Sequence, residues 1–195
     1  MYNIKEFNRV KEYALERHIP IIMDDTLEKI KEILSIENAK RILEVGTAVG
    51  YSACCFAMNS DAQIDTIEID SDRAKEAKIN IEKIGFKNRI NIIEGNAVDI
   101  MPNLKPEYDI IFIDAAKSKY NIFLEESLKL IKDNGLIIAD NILYKGYVMS
   151  DYNKHKQRTA VRHLREYIKE VTENASLETE ILEIGDGLAI TRVKK

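Results

Sequence analysis

Ile110-Ile111-Phe112-Ile113-Asp114-Ala115-Ala116-Lys117 is an apolar run that ends in an acid and, three residues on, a lysine. Leu136-Ile137-Ile138-Ala139-Asp140-Asn141 repeats the pattern farther along. Short apolar runs bounded by polar residues read as strands buried on both faces, the kind found in parallel sheets. In an open parallel α/β sheet, the carboxyl ends of neighbouring strands face one crevice, and ligands bind there. The two runs would bring Asp114, Asp140 and Asn141, three hard oxygen donors, to one point beside the amine of Lys117. That combination has the character of a divalent-cation site with a base next to it.

The flanking sequence supports such a sheet. Arg41–Val45, Ile64–Ile69, Ile90–Glu94, Ile110–Ile113 and Leu136–Ala139 read as five strands. They alternate with helices over Gly50–Met58, Asp72–Ile84 and Asn121–Ile131, the last closed by Asp133-Asn134-Gly135. Strand–helix alternation is the signature of βαβ units. A basic helix follows over about Lys156–Val171. Leu177–Glu183 and Leu188–Val193, joined by Gly185-Asp186-Gly187, then read as an antiparallel hairpin. Two helices precede the sheet, Ile4–Arg17 and Thr26–Leu34, split by Ile19-Pro20-Ile21-Ile22-Met23. Proline disfavours helix in the residue before it. The expectation is one domain over 1–195, with 1–35 as an N-terminal helical cap.

Bulk properties agree. The chain has 195 residues, 45% hydrophobic and 32% charged, enough for one full core. No apolar run approaches the roughly 18 residues of a membrane span. The N-terminus lacks the apolar core of a signal peptide. Cys54 and Cys55 are adjacent, which suits neither a disulfide framework nor a zinc site. The expected setting is therefore a reducing cytoplasm. The net charge of -4 argues against a protein that coats nucleic acid. The charge is uneven, however. Between Tyr144 and Arg165 lie Lys145, Lys154, Lys156, Arg158, Arg162 and Arg165 against the single acid Asp151. Such a stretch is either a solvated helix face or a phosphate-contacting patch.

Glu44-Val45-Gly46-Thr47-Ala48-Val49-Gly50 closes the first strand and opens a helix. Gly46 lets the backbone turn sharply and approach a ligand. Dinucleotide folds use G-x-G-x-x-G. Here the spacing is Gly-x-x-x-Gly and Ala48 stands where the second glycine would be, which disfavours a nicotinamide or flavin cofactor. A ligand-free turn is the alternative reading. Glu68 ends the next strand, about 20 residues on, where an acid commonly binds a ribose hydroxyl. Asp70 could simply cap the following helix. Ser52 at the helix start could cap it or bind a carboxylate. Gly95-Asn96-Ala97 supplies a small polar loop after the third strand.

Oxygen-only ligands suit Mg2+ or Ca2+ rather than zinc. A bound Mg2+ would stabilise an oxyanion and orient a bidentate substrate. Lys117 could then remove a hydroxyl proton, since a neighbouring cation favours the neutral amine. Taken singly, Asp114 could be a helix cap, Asp140-Asn141 a turn and Lys117 a surface residue. Their shared placement is the signal.

Glu44–Ser52, Phe112–Lys117 and Ala139–Asn141 together resemble the cation-dependent class I S-adenosylmethionine (SAM) O-methyltransferases, the family of the catechol and caffeoyl-CoA enzymes. The resemblance runs from about Ile19 to Arg192. It implies a Rossmann-like methyltransferase fold: a seven-stranded, mostly parallel sheet with a C-terminal antiparallel hairpin and helices on both faces. It implies Asp114, Asp140 and Asn141 as metal ligands and Lys117 as the base. Glu68 would sit on the ribose, with Met23, Gly46, Ser52, Asn96 and Ala97 around SAM and Asp114 bordering it. It also implies a homodimer. Ile19–Ile22 and Gly185–Ile190 are similar to a short bacterial branch that acts on 5-hydroxyuridine in tRNA. A 5-hydroxyuracil presents a hydroxyl beside a carbonyl and would chelate one metal. The basic stretch Lys145–Arg165 would then hold anticodon-loop phosphates. With no tryptophan in the chain, an aromatic gate would use Tyr144 or Tyr147. The alternatives are a small catechol or hydroxycinnamoyl acceptor, or a non-catalytic SAM- or RNA-binding module.

Overall fold

The computed structural model describes residues 2–105, 107–150 and 157–194. The chain divides into two compact units, Met1–Ile100 and Met101–Lys195.

The first unit opens with α1 (Ile4–Glu16) and α2 (Asp24–Glu37). Asn3 starts α1 by accepting the Lys5 and Glu6 amides on its side chain, a cap worth about 1 kcal/mol. Phe7, Val10 and Ala14, at helical spacing, form the buried face of α1. This face packs against α3 (Tyr51–Asn59) and α4 (Ser71–Ile84). Strands β1 (Arg41–Val45), β2 (Gln63–Glu68) and β3 (Ile90–Glu94) run parallel in the order β3-β2-β1, with Val45 level with Ile67 and Glu68 level with Glu94. Arg89, just before β3, donates to the carbonyls of Ala57, Ser60 and Ala62. One guanidinium thus satisfies the loose carbonyls where α3 ends and β2 begins. A short α5 (Ala97–Ile100) follows β3. It was not expected from the sequence, being a single turn with no periodicity to read.

The second unit contains β4 (Tyr108–Ile113), α6 (Tyr120–Leu130), β5 (Ile131–Ala139), α7 (Arg158–Glu173), β6 (Leu177–Leu182) and β7 (Leu188–Val193). The strand order is β4-β5-β7-β6. β4 and β5 are parallel, while β7 is antiparallel to both β5 and β6. The terminal hairpin is thus present, and β7 closes on β5 with Ala139 opposite Ala189.

Two boundaries differ from the sequence reading for physical reasons. Asp133-Asn134-Gly135 does not end a helix before β5. It lies inside β5, which begins at Ile131. Asn134 is left-handed (φ 59°), residues 132–134 are exposed, and the β4–β5 register shifts between Tyr108 and Ile110. A turn signal within a strand marked an irregularity in the ladder. Ile69 lies outside β2 and is 68% exposed, because pairing stops at Glu68. Lys156, the expected start of the basic helix, lies outside the described residues, as do Asp151 and Lys154; the described helix begins at Arg158.

The hairpin turn also shapes the loop after β5. Ile142 and Leu143 donate their amides to the carbonyls of Gly187 and Asp186. A Cβ on Gly187 would lie 2.3 Å from Leu143 Cγ and 2.8 Å from its backbone nitrogen, and its φ is +91°. Gly146 has φ +73° but nothing within 4 Å of such an atom. Gly187→Ala therefore combines overpacking with left-handed strain and should cost about 3 kcal/mol, against about 1 kcal/mol for Gly146→Ala. Urea unfolding should show a clearly lower midpoint for the first, and equal midpoints would contradict this packing.

Candidate functional site

The sequence-predicted residues form two clusters, one in each unit. In the first unit, the loops after three parallel strands are tied together. Gly46 donates its amide to the Ile67 carbonyl (3.0 Å), and Gly95 donates to that of Glu68 (2.8 Å). The loop after β1 turns through left-handed residues: Gly46 (φ 108°), Ala48 (47°) and Gly50 (81°). Ala48 is costly there because it carries a Cβ. Its compensation is the hydrogen bond that its backbone N–H donates to Glu68 Oε2 (2.7 Å), while Glu68 Oε1 accepts from the Asp70 amide (2.9 Å). Glu68 is only 7% exposed. It therefore holds the loop whether or not it also meets a ribose.

Sequence reading missed the layer beneath this loop. Thr66 donates to Glu44 Oε2 (2.5 Å), and Thr47 bonds Thr66 at 2.6 Å. Because the Thr66 proton is used on Glu44, Thr47 is the donor in that second bond. All three residues are buried. The pattern Glu44…Thr47…Thr66 has no local signature, since the pairing of β1 and β2 creates it.

The other expected residues take these places. Ser52 lies half-buried in the first turn of α3. Asn96 is exposed and accepts the Val98 amide, and Ala97 is buried at the start of α5. Met23 precedes α2 and is half-exposed. Asp70 caps α4 by accepting the Asp72 and Arg73 amides, which hold its carboxyl below the usual range. A tight glycine loop, a buried acid and a small polar loop suit a ligand with a ribose and a zwitterionic tail, as SAM has.

In the second unit, β4 and β5 place Ile113 level with Ala139. Asp114 and Asp140 therefore leave neighbouring strands side by side. Asp114 Oδ1 accepts from Lys117 Nζ (3.1 Å) and from Asn141 Nδ2 (3.0 Å). Asp140 Oδ1 accepts the Asn141 amide at 2.7 Å. The four residues thus form one cluster, as the sequence implied. Asp140 is 1% exposed. Burial, and then the charge of Asp114, push its carboxyl up to about 7. Asn141 adopts a left-handed φ of 58°, the kind of strain that gathers at functional sites. Among the described residues, no three His, Cys, Asp or Glu side chains converge on one point. The set here is two carboxylates and an amide. Asp114 Oδ2, Asp140 Oδ2 and Asn141 Oδ1 take no part in the bonds above. Three hard oxygens, on the buried Asp140, the half-buried Asp114 and Asn141, match the donor set of Mg2+ or a similar ion.

The basic stretch is partly consumed by its own fold. Arg165 donates to the carbonyls of Tyr147, Val148 and Ser150, and Arg162 pairs with Glu166 at 3.6 Å. Lys145 and Arg158 are exposed. Lys154 and Lys156 lie outside the described residues. Tyr144 and Tyr147 meet edge to face at 5.9 Å. Cys54 and Cys55 are free and buried, with burial pushing the Cys55 thiol up to about 12, so they are inert rather than catalytic.

Comparison with known proteins points one way. A family model described as O-methyltransferase matches residues 4–194. The chain is 33% identical to a caffeoyl-CoA O-methyltransferase of Populus kitakamiensis, over 82% of this chain and 72% of that protein. It is 34% identical to a catechol O-methyltransferase of Niastella koreensis, over 80% and 74%. Among solved structures, a Staphylococcus aureus protein provisionally assigned as a caffeoyl-CoA O-methyltransferase is similar at TM-score 0.90 and 37% identity, covering 96% of this chain and 91% of that one. A Bacillus cereus O-methyltransferase in complex with SAH shares the fold at TM-score 0.87 and 24% identity, covering 97% and 91%.

Because Glu68 holds Ala48 in place, Glu68→Ala should raise the dissociation constant for S-adenosylhomocysteine (SAH) at least about tenfold, the worth of one charge-assisted hydrogen bond. Titration calorimetry reads this directly, and wild-type affinity in the variant would contradict it.

Proposed function

The chain belongs to the O-methyltransferase family and is a SAM-dependent O-methyltransferase with the family's Rossmann-like fold, and on that premise we propose that it methylates a metal-chelated hydroxyl, that of 5-hydroxyuridine in tRNA. The carrying observation is the cluster of Asp114, Lys117, Asp140 and Asn141. Mg2+, when bound, would lower the pKa of the acceptor hydroxyl and favour an acceptor with a second oxygen beside it. SAM, when bound, supplies the methyl group. In this reading Asp114, Asp140 and Asn141 hold the cation. Lys117 takes the hydroxyl proton onto Nζ. Met23, Gly46, Ser52, Glu68, Asn96 and Ala97 hold the methyl donor. Fixing donor and acceptor in line is a large part of the rate gain in such a transfer.

The tRNA acceptor is supported by exposed cationic residues of the second unit, Lys119, Lys145 and Arg158. Arg162 is exposed and shared with Glu166, while Arg165 is committed to backbone carbonyls. A second reading, a catechol or hydroxycinnamoyl acceptor, is favoured by the activities that the curated relatives' names carry. The same proposal takes 1–195 as one methyltransferase domain with 1–35 as its cap, supported by the family match over 4–194. It places the enzyme in a cytoplasm, supported by two free cysteines. The homodimer rests on the family resemblance. Among the described residues, no helix is long and apolar enough to cross a membrane.

Two measurements test this. Lys117→Ala should lower kcat about a hundredfold or more, within the usual range for general bases, and leave SAH affinity within about twofold. Equal losses in both would make Lys117 structural. For the acceptor, tRNA from cells lacking the gene should accumulate 5-hydroxyuridine. Unchanged tRNA, with turnover of a catechol that is insensitive to salt, would establish the second reading instead.

A further inference from the structure

We infer that Tyr120 is a positioning residue for the acidic cluster, its hydroxyl fixing the Asp140–Asn141 peptide so that both side chains are aimed for a divalent cation. This rests on the metal reading above and names a residue that the sequence reading did not single out.

The parallel ladder between β4 and β5 ends where the Asp140 amide donates to the Ile113 carbonyl at 3.0 Å. The chain then turns away into the loop after β5, and the Asp140 carbonyl leaves the ladder while still buried. A buried carbonyl without a donor is costly. Tyr120 Oη supplies the donor at 2.7 Å, and the Ile113 carbonyl lies farther off at 3.4 Å. The same peptide unit carries the Asn141 amide, which donates to Asp140 Oδ1. One peptide plane is therefore gripped at both ends, at its oxygen by Tyr120 and at its nitrogen by the Asp140 carboxylate. Rotating that plane would break the Asn141 amide's bond to Asp140 Oδ1, releasing the carboxylate, and would take Asn141 out of its left-handed φ.

The tyrosine cannot easily yield. It is 0% exposed, edge-on to Tyr167 at 5.7 Å and tilted against Phe123 at 6.5 Å. The short 3-10 turn Lys117–Lys119 delivers it to the first position of α6. Lys117 Nζ lies 5.6 Å from the centre of its ring. Phenylalanine would fill the same volume. What tyrosine adds is a proton for the Asp140 carbonyl.

The test is Mn2+ binding followed by electron paramagnetic resonance of the free ion, with SAH affinity measured in parallel. Tyr120→Phe should raise the Mn2+ dissociation constant about tenfold, the low end for residues that orient metal ligands. SAH affinity should stay within about twofold, which also reports an intact fold. Tyr167→Phe removes a neighbouring buried hydroxyl that does not touch Asp140, and should leave Mn2+ binding as in wild type. The inference is overturned if Tyr120→Phe titrates like wild type while Asp140→Ala does not bind. Equal losses in Tyr120→Phe and Tyr167→Phe would overturn it too, by showing general loosening. A wild-type protein that binds no Mn2+ would overturn the metal reading itself, and this inference with it.

Discussion

Two carboxylates of like charge, Asp114 and Asp140, are kept together by the pairing of β4 with β5, and much of the second unit can be understood as what makes that juxtaposition tolerable. Their strands are apolar and largely buried, and the register that sets Ile113 level with Ala139 brings the two acids out side by side. Left alone, two such acids repel, and the more buried one is driven toward its neutral form. Lys117 and Asn141 reduce the cost by bonding Asp114. Tyr120 and the Asn141 amide hold Asp140. A cation would complete the compensation.

The loop after β5 follows from the same constraint. Asn141, Tyr144 and Lys145 all have left-handed backbones without being glycine. Strain on this scale persists only where the surroundings over-determine it. The Gly185–Gly187 turn receives the Ile142 and Leu143 amides, and Asp186 accepts the Lys145 amide. Arg165 takes three carbonyls from the far side of the loop. An arginine that reads in sequence as part of a phosphate patch is thus committed to backbone.

The sheet was legible because its strands are plain apolar runs, and β3 and β7 begin and end where the pattern says they do. The acid tips were legible for the same reason: a strand end is visible in sequence, and parallel neighbours share an end. Asp133-Asn134-Gly135 misled because turn residues mark any left-handed backbone, including one inside a strand. The Thr47–Thr66–Glu44 chain and the Tyr120 hydroxyl were invisible because each joins partners far apart in sequence. Glu68 is visible through spacing, yet its bond to Ala48, which explains how an alanine sits in a glycine's conformation, joins residues 20 apart and leaves no local pattern.

The central claim is that Asp114, Asp140 and Asn141 form one cation site. A crystal structure with Mn2+ and SAH, with anomalous scattering recorded for manganese, tests it most directly. The account predicts a single anomalous peak within about 2.2 Å of an oxygen from each of the three side chains, close to the spacing small octahedral cations require. A peak elsewhere, or none at a saturating metal concentration, would contradict it.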